Sequence, residues 1–312
     1  MDNPNKMSKI TTAIKLLKHN RGEFFASILM HLNFFFPDKL YLSLLFRLKM
    51  GYWIDWKNPK TFSEKLQWLK LYDRNPEYTK MVDKYTVKEY VAKIIGEEYI
   101  IPTLGVWDRP EDIDWDSLPQ KFVLKTNHGG GNAGVIICKD KSTIDIKTIK
   151  KQLSKAMRQN LYMECREWPY KNIDKKIIAE EYLEDAITNE LRDYKFFCFN
   201  GEVKFLFVAT GRQKYEEPFF NFFDADYNIL NIQQGHPQSE DIPSIPLCFD
   251  EMKRVASKLS EGFSEVRIDL YEVNGKVYFG EITLFHFGGV VPFNPDEWDY
   301  KFGEMIKLPF EI

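Results

Sequence analysis

Lys121-Phe-Val-Leu-Lys-Thr-Asn-His-Gly-Gly-Gly-Asn-Ala-Gly-Val-Ile-Ile-Cys138 is the stretch on which the fold turns. Phe122-Val-Leu and Val135-Ile-Ile-Cys138 are β-type runs separated by a glycine-dense segment, so the reading is strand, loop, strand. Gly129, Gly131 and Gly134 formally satisfy the G-x-G-x-x-G pattern of dinucleotide sites. That pattern needs a helix opening directly after the loop, and here the β-branched Val135-Ile-Ile follows. A Walker loop fails too, because no Lys-Ser/Thr pair follows the glycines. What remains is a flexible loop with Lys125 at the exit of the first strand. Glycine N–H groups approach phosphate oxygens with no Cβ in the way, and a lysine adds a point charge, so a phosphate-covering flap fits. An ordinary glycine-rich hairpin turn fits the same residues.

Working outward, Ile146, Ile149, Leu153 and Met157 mark one face of a helix, and Lys176–Tyr182 reads as a buried strand. Two hairpins follow: Tyr194–Phe199 with Val203–Ala209 around Asn200-Gly201, and Glu265–Val273 with Val277–Thr283 around Asn274-Gly275. Between them lies a helix opened by Asp250 and closed by Gly262. Upstream, Thr61-Phe-Ser-Glu64 is a capping box, and a second helix is expected over Met81–Ile95 with Gly96 as its stop. Pro102, Pro110 and Pro119 punctuate a loop-rich stretch before the glycine loop.

The last hairpin carries the charges. Arg267-Ile-Asp269 lies on one strand and Glu281-Ile-Thr283 on the next, each pair pointing to one face. Whether the two pairs share a face depends on the turn. A two-residue Asn274-Gly275 loop would set Asp269 and Glu281 on opposite faces. A three-residue loop over 273–275 would set Arg267 opposite Glu281 with Asp269 one diagonal away, and this is the expectation. Two carboxylates among apolar neighbours repel each other unless a cation lies between them. Mg²⁺ with nucleotide phosphates suits such hard oxygen ligands, while neutralisation by Arg267 alone is the structural alternative.

The chain has 312 residues, about two domains' worth, with 43 Lys+Arg against 46 Asp+Glu, so no global basic field recruits nucleic acid. The four cysteines, Cys138, Cys165, Cys198 and Cys248, lack metal or redox spacing and read as reduced core thiols. No apolar run approaches a membrane span and the start lacks a clean signal-peptide core, so a cytoplasmic protein is expected. The first 50 residues hold eight Lys/Arg against three Asp/Glu and include the aromatic-rich Phe24–Phe46. Such a region either packs as helices on the main domain, the favoured reading, or lies on an anionic membrane surface at the inner face. Aromatic residues make up 15% of the chain, which is compatible with sugar stacking and equally with a core.

Several blocks together resemble the TupA-like branch of the ATP-grasp superfamily, found among surface-polysaccharide genes and named for teichuronopeptide biosynthesis. They are Asn58-Pro-Lys-Thr-Phe-Ser-Glu-Lys65, Asp83-Lys84-Tyr85, the Lys121–Lys125 strand with its loop, Ile177-Ile-Ala-Glu-Glu-Tyr-Leu183, Asp193-Tyr-Lys-Phe-Phe-Cys-Phe-Asn-Gly201, Arg267-Ile-Asp269 and Glu281-Ile-Thr283. The resemblance implies an α+β ATP-grasp fold with nucleotide held between two α+β lobes. A helical region over 1–80 would precede an ATP-grasp domain over 81–312, with the glycine-flap lobe at about 120–182 and the metal-binding lobe at about 183–312. It implies that Lys84 and Lys125 face the α- and β-phosphates of ATP, with Gly129, Gly130, Gly131 and Asn132 as the flap. Glu180, Glu181, Tyr182 and Leu183 would form the linker that reads adenine, Asp193 would hold the ribose, and Lys195 would reach the phosphates. Asp269 and Glu281 look like the Mg²⁺ ligands. Thr283, where many members have Asn, would be a weaker third one. Arg267 resembles the arginine that steadies the tetrahedral intermediate. His286, as easily a surface histidine, and Arg212 receive no role.

The implied activity is a ligase that makes an amide through an acylphosphate, with cofactors ATP and Mg²⁺. The acceptor would be a uronic-acid carboxylate of a capsular or cell-wall sugar, and the partner a small amine or amino acid. Glu164, Glu167, Trp168 and Tyr170 are acceptor-side candidates. A glycosyltransferase using Asp224-Ala-Asp226, and a non-catalytic nucleotide-binding protein, stay open as rivals.

Overall fold

A computed structural model describes residues 20–131, 134–186, 191–211 and 217–310. Two helices, α1 (Arg21–His31) and α2 (Asp38–Met50), open the described chain. The capping box then starts α3 (Phe62–Tyr72): Thr61 Oγ1 accepts from Glu64 N at 3.1 Å while Glu64 Oε2 accepts from Thr61 N at 3.1 Å. The helix expected over Met81–Ile95 is two pieces, α4 (Tyr78–Val82) and α5 (Val87–Ile95). Asp83 breaks it, because its Oδ1 accepts from Tyr85 N at 2.8 Å and Thr86 N at 3.3 Å, a turn that competes with helical bonding.

The remaining elements in chain order are β1 (Thr103–Trp107), β2 (Phe122–Thr126), β3 (Val135–Cys138), α6 (Ile146–Ala156), α7 (Leu161–Cys165), β4 (Ile177–Glu181), β5 (Asp193–Phe199), β6 (Glu202–Thr210), β7 (Phe219–Asp224), β8 (Ile229–Leu230), β9 (Gln233–Gln234), α8 (Phe249–Leu259), β10 (Val266–Val273), β11 (Lys276–Thr283), β12 (Phe293–Asn294) and α9 (Glu297–Met305). They make a four-stranded sheet in the order β1-β4-β2-β3 and a six-stranded sheet in the order β11-β10-β5-β6-β7-β8. Both are antiparallel between every pair of neighbours. The chain passes from the first sheet to the second between β4 and β5, so the linker expected over Glu180–Leu183 overlaps the end of β4 at Glu180 and Glu181.

Each sheet buries its own core. Phe122, Leu124, Ile177, Ala179, Ile149 and Leu153 pack the small sheet against α6. The large sheet buries Phe196, Phe197, Phe199, Phe205, Phe207 and Phe222 completely, with Phe205 stacked on Phe302 of α9. The aromatic surplus is therefore largely core. Cys138 and Cys198 are buried thiols as expected, but Cys165 and Cys248 are only half-buried.

The α1–α2 pair has a separate cluster around Tyr41, Leu42, Leu45 and Phe46. It is fastened to the segment around α7: Tyr41 Oη donates to Glu164 O at 2.7 Å, Asn33 Nδ2 donates to Met163 O at 2.9 Å, and Arg166 pairs with Asp38 at 2.9 Å. Its outer side keeps Phe25, Ile28, Phe34 and Phe35 exposed, Phe34 at 65% and Phe35 at 68%. No helix of the described residues is long and apolar enough to cross a membrane.

Candidate functional site

Three neighbouring strands carry the site on one face. Lys195 of β5 stands opposite Asp269 of β10, which stands opposite Glu281 of β11, and one step along Arg267 stands opposite Thr283. The two pairs share a face, but the expected register, with Arg267 opposite Glu281 across a three-residue loop, does not form. The hairpin's loop is the two-residue Asn274-Gly275 turn, with Val273 paired to Lys276 and φ of 52° and 73° at the turn residues. That register alone would turn Glu281 away from Asp269. A bulge between Asp269/Leu270 and Phe279/Glu281 absorbs Gly280 and brings Glu281 back to the face of Asp269. A Cβ on Gly280 would lie 3.0 Å from Asp269 O and 3.1 Å from the Tyr271 ring, so the bulge fits tightly around a glycine.

The charges interlock. Arg267 donates from Nε to Asp269 Oδ1 at 2.7 Å and from Nη2 to Asp269 Oδ2 at 2.8 Å, to Glu281 Oε1 at 3.2 Å and to Thr283 Oγ1 at 2.9 Å. Lys195 pairs with Asp269 and, at 2.7 Å, with Asp193. Lys84 pairs with Glu281 Oε2 at 3.2 Å and donates to the carbonyl oxygen of Gly129 at 2.8 Å. One ammonium thus joins the glycine loop to the acidic hairpin. Burial opposes ionisation of Glu281, but Lys84, Lys195 and Arg267 together hold its carboxyl well below the usual range. For Asp269 burial prevails over Arg267 and Lys195, and its carboxyl is raised.

His286 is buried, not superficial. A guanidinium can only donate, so Arg267 Nη1 at 2.6 Å makes His286 Nδ1 an acceptor, and the proton on Nε2 goes to Gln234 Oε1 at 3.0 Å. Burial and then the charge of Arg267 push this imidazole well below its ordinary value, so it stays neutral.

On the small sheet, Glu180 is buried between two lysines, Lys125 at 2.6 Å and Lys88 at 2.7 Å. Burial raises its carboxyl less than those two cations lower it. Glu180 and Glu181 are strand residues, and Glu181 N donates to Pro102 O at 3.2 Å, whereas Tyr182 and Leu183 lie past the strand end. Gly129, Gly130 and Gly131 follow β2 in the loop, and Asn132 and Arg212 lie outside the described residues.

Three residues of this neighbourhood escaped the sequence reading. Lys88 lies four residues after Lys84, in the first turn of α5, a spacing visible in the sequence. Asn127 ties the Lys84 turn to the loop: its Nδ2 donates to Asp83 Oδ2 at 2.9 Å and its carbonyl accepts from Lys84 N at 3.0 Å. Gln234 carries no signal of its own. The Asp224-Ala-Asp226 motif is spent within a turn, since Asp224 Oδ1 accepts from Asp226 N at 2.9 Å and Asn228 N at 2.8 Å.

Among the described residues no group of three or more His, Cys, Asp and Glu side chains is gathered as a ready-made metal cage. The donors present, two carboxylates and a hydroxyl, fit an ion that arrives with nucleotide phosphates and keeps part of its water.

The model of the family described as TupA-like ATPgrasp matches residues 64–307. The chain belongs to the TupA-like ATP-grasp family. Its fold is accordingly the α+β ATP-grasp fold. Solved structures similar to this TupA-like chain include D-alanine–D-alanine ligase from Bacillus anthracis, at 16% identity over 65% of this chain and 57% of that one, TM-score 0.38. The Helicobacter pylori D-alanine–D-alanine ligase matches at 15% identity over 78% of this chain and 69% of that one, TM-score 0.41. D-cycloserine synthetase DcsG matches at 15% identity over 74% and 72%, TM-score 0.40. The TupA-like chain spans 57% of the length of the first of these ligases. A search of curated proteins found no match.

Proposed function

We propose that the protein is an ATP-dependent carboxylate–amine ligase that makes an amide through an acylphosphate. The observation that carries this is Lys84, whose ammonium lies 2.8 Å from Gly129 O and 3.2 Å from Glu281 Oε2. Membership of the ATP-grasp family supports the same reading.

A carboxylate is a poor electrophile, and oxide is a poor leaving group. In this reading the substrate carboxylate attacks the γ-phosphate of ATP, Lys84 and Lys195 offset charge on the phosphates, and Lys125 holds the nucleotide from the small sheet. Asp193 binds the ribose, Tyr182 and Leu183 border the adenine, and Gly129, Gly130 and Gly131 cover the phosphates. Asp269 and Glu281, with Thr283 as a weak third donor, would hold Mg²⁺, which when bound offsets phosphate charge. The flap keeps water from the acylphosphate, an amine displaces phosphate, and Arg267 steadies the oxyanion. His286 and Gln234 keep Arg267 aimed, because the neutral imidazole accepts from Nη1.

The acceptor we propose is a uronic-acid carboxylate of a capsular or cell-wall polysaccharide precursor, and the donor a small amine or amino acid. We further propose a cytoplasmic protein that touches the anionic inner membrane face through the basic N-terminal region and exposed Phe25, Phe34 and Phe35. The test is incubation with ATP, Mg²⁺, pooled uronic acids and pooled amines, followed by mass spectrometry. ADP, phosphate and a condensed product are expected; UDP released from nucleotide sugars without ADP formation would retire the ligase.

A further inference from the structure

The turn after the last strand of the large sheet rests on the segment that follows α7. His286, bonded to Arg267, begins that turn, and Gly288 two residues on lies so close to the segment that a Cβ there would meet Cys165 Sγ at 3.0 Å and Glu167 Oε1 at 3.6 Å. Gly288 O in turn accepts from Lys70 Nζ at 2.5 Å, and Lys70, fully buried, also donates to Gln67 Oε1 at 3.0 Å. Lys70 therefore has two acceptors without Glu167. Among the described residues the Glu167 carboxylate has neither a hydrogen bond nor an ion pair, yet the charges of Lys70, Glu164, Arg267 and Glu281 act on it, in that order. The phenol of Tyr170, one short turn further, feels Glu167, Glu281, Arg267 and Asp269 together. An acceptor-only group with no protein partner, bordering a site otherwise saturated with paired charges, lacks a donor that a substrate can supply.

We propose that Glu167 binds the incoming ammonium and takes its proton, making it the general base of the amide-forming half-reaction. This rests on the ligase reading. The ammonium gives one proton to the Glu167 carboxylate, and the freed lone pair attacks the acyl carbon. The bond from that carbon to the phosphoryl oxygen breaks, and phosphate leaves with its electron pair and takes the second N–H proton. Glu167 returns its proton to solvent before the next turnover. Burial pushes the carboxyl up to about 7, a range in which it accepts and releases protons at neutral pH.

Hydroxylamine separates the halves, because it is uncharged at neutral pH and captures acylphosphates without a base. Full-length wild type and the isosteric Glu167→Gln are incubated with ATP, Mg²⁺ and pooled uronic acids, plus either hydroxylamine or a pool of glycine, alanine and ethanolamine. Amide formation is expected to fall at least ~10²-fold in Glu167→Gln while hydroxamate formation stays within ~3-fold, with partial return of amide in Glu167→Asp. Parallel loss of both products would make Glu167 a structural partner of Lys70 and overturn the assignment. So would unchanged amide synthesis, or a wild type that makes hydroxamate but no amide. If wild type makes neither, the ligase reading itself fails and this role goes with it.

Discussion

The two sheets handle buried charge in opposite ways. On the small sheet one carboxylate, Glu180, lies between two lysines over a core that mixes aliphatic side chains with Phe122, a self-contained triad. On the large sheet Asp193, Asp269 and Glu281 share Lys84, Lys195 and Arg267 over an aromatic core, and both oxygens of Asp269 and of Glu281 meet a cation. A triad can lose one lysine and keep a neutralised carboxylate. A lattice that loses one carboxylate leaves two cations exposed to each other. The proposed chemistry lies on the lattice, where Lys84 also reaches the glycine loop.

The largest expected effect therefore lies on the large sheet. Asp269→Asn removes the charge that holds both Arg267 and Lys195, and ADP release should fall by ~10³-fold or more. Retained activity in a coupled ADP assay would dissolve the contrast. Lys125→Met should be milder, because Lys88 still neutralises Glu180: the KM for ATP rises about tenfold with kcat nearly unchanged, as for loss of uniform binding. A collapse of kcat instead would put Lys125 on a par with the lattice.

Stability sharpens the comparison further. Gly280→Ala forces the bulge open against Asp269 O and the Tyr271 ring and should cost about 1–3 kcal/mol, read as a lowered midpoint in urea. Glu265 begins the same face two residues before Arg267, and neither of its buried carboxylate oxygens has a hydrogen-bond partner among the described residues. Burial raises it well above 4.5, only partly offset by Arg267. It is then neutral when folded and ionised when unfolded near neutrality. Its contribution to stability is full below the unfolded value and is lost as pH rises toward the folded one. Glu265→Gln should stabilise the protein by about 1–3 kcal/mol near pH 8, with the gain closing by about pH 4.5 in parallel thermal melts. The smallest effect is expected for Phe34→Ser with Phe35→Ser, which lies outside both sheets. Folding stability should stay within about 0.5 kcal/mol, while co-sedimentation with phosphatidylglycerol-rich vesicles drops; unchanged sedimentation would remove the membrane contact.

Local chemistry was legible in the chain itself. The capping box, the strand–loop–strand around Gly129–Gly131 and the existence of a hairpin about Asn274-Gly275 are set by residues within a few positions of one another. Two readings of local structure failed. The helix over Met81–Ile95 breaks because Asp83 finds backbone N–H groups to accept from, and there it also meets Asn127 of the distant loop. The hairpin register differs because the extra residue lies not in the turn, expected as a three-residue loop over 273–275, but at Gly280 within the strand.

By itself, then, the order of residues determined which side chains lie on strands, which face Arg267 and Asp269 share, and that a lysine waits at the exit of β2. Only the tertiary structure decided that Glu281 faces Asp269, that His286 is a buried acceptor, that Lys84 reaches both loop and hairpin, and that Glu167 is left without a hydrogen-bond or ion-pair partner among the described residues. Periodicity and turn chemistry act over a few residues and leave a trace in sequence. A bulge, a buried tautomer and an ion-pair lattice are settled by what packs alongside, and spacing along the chain carries no record of that.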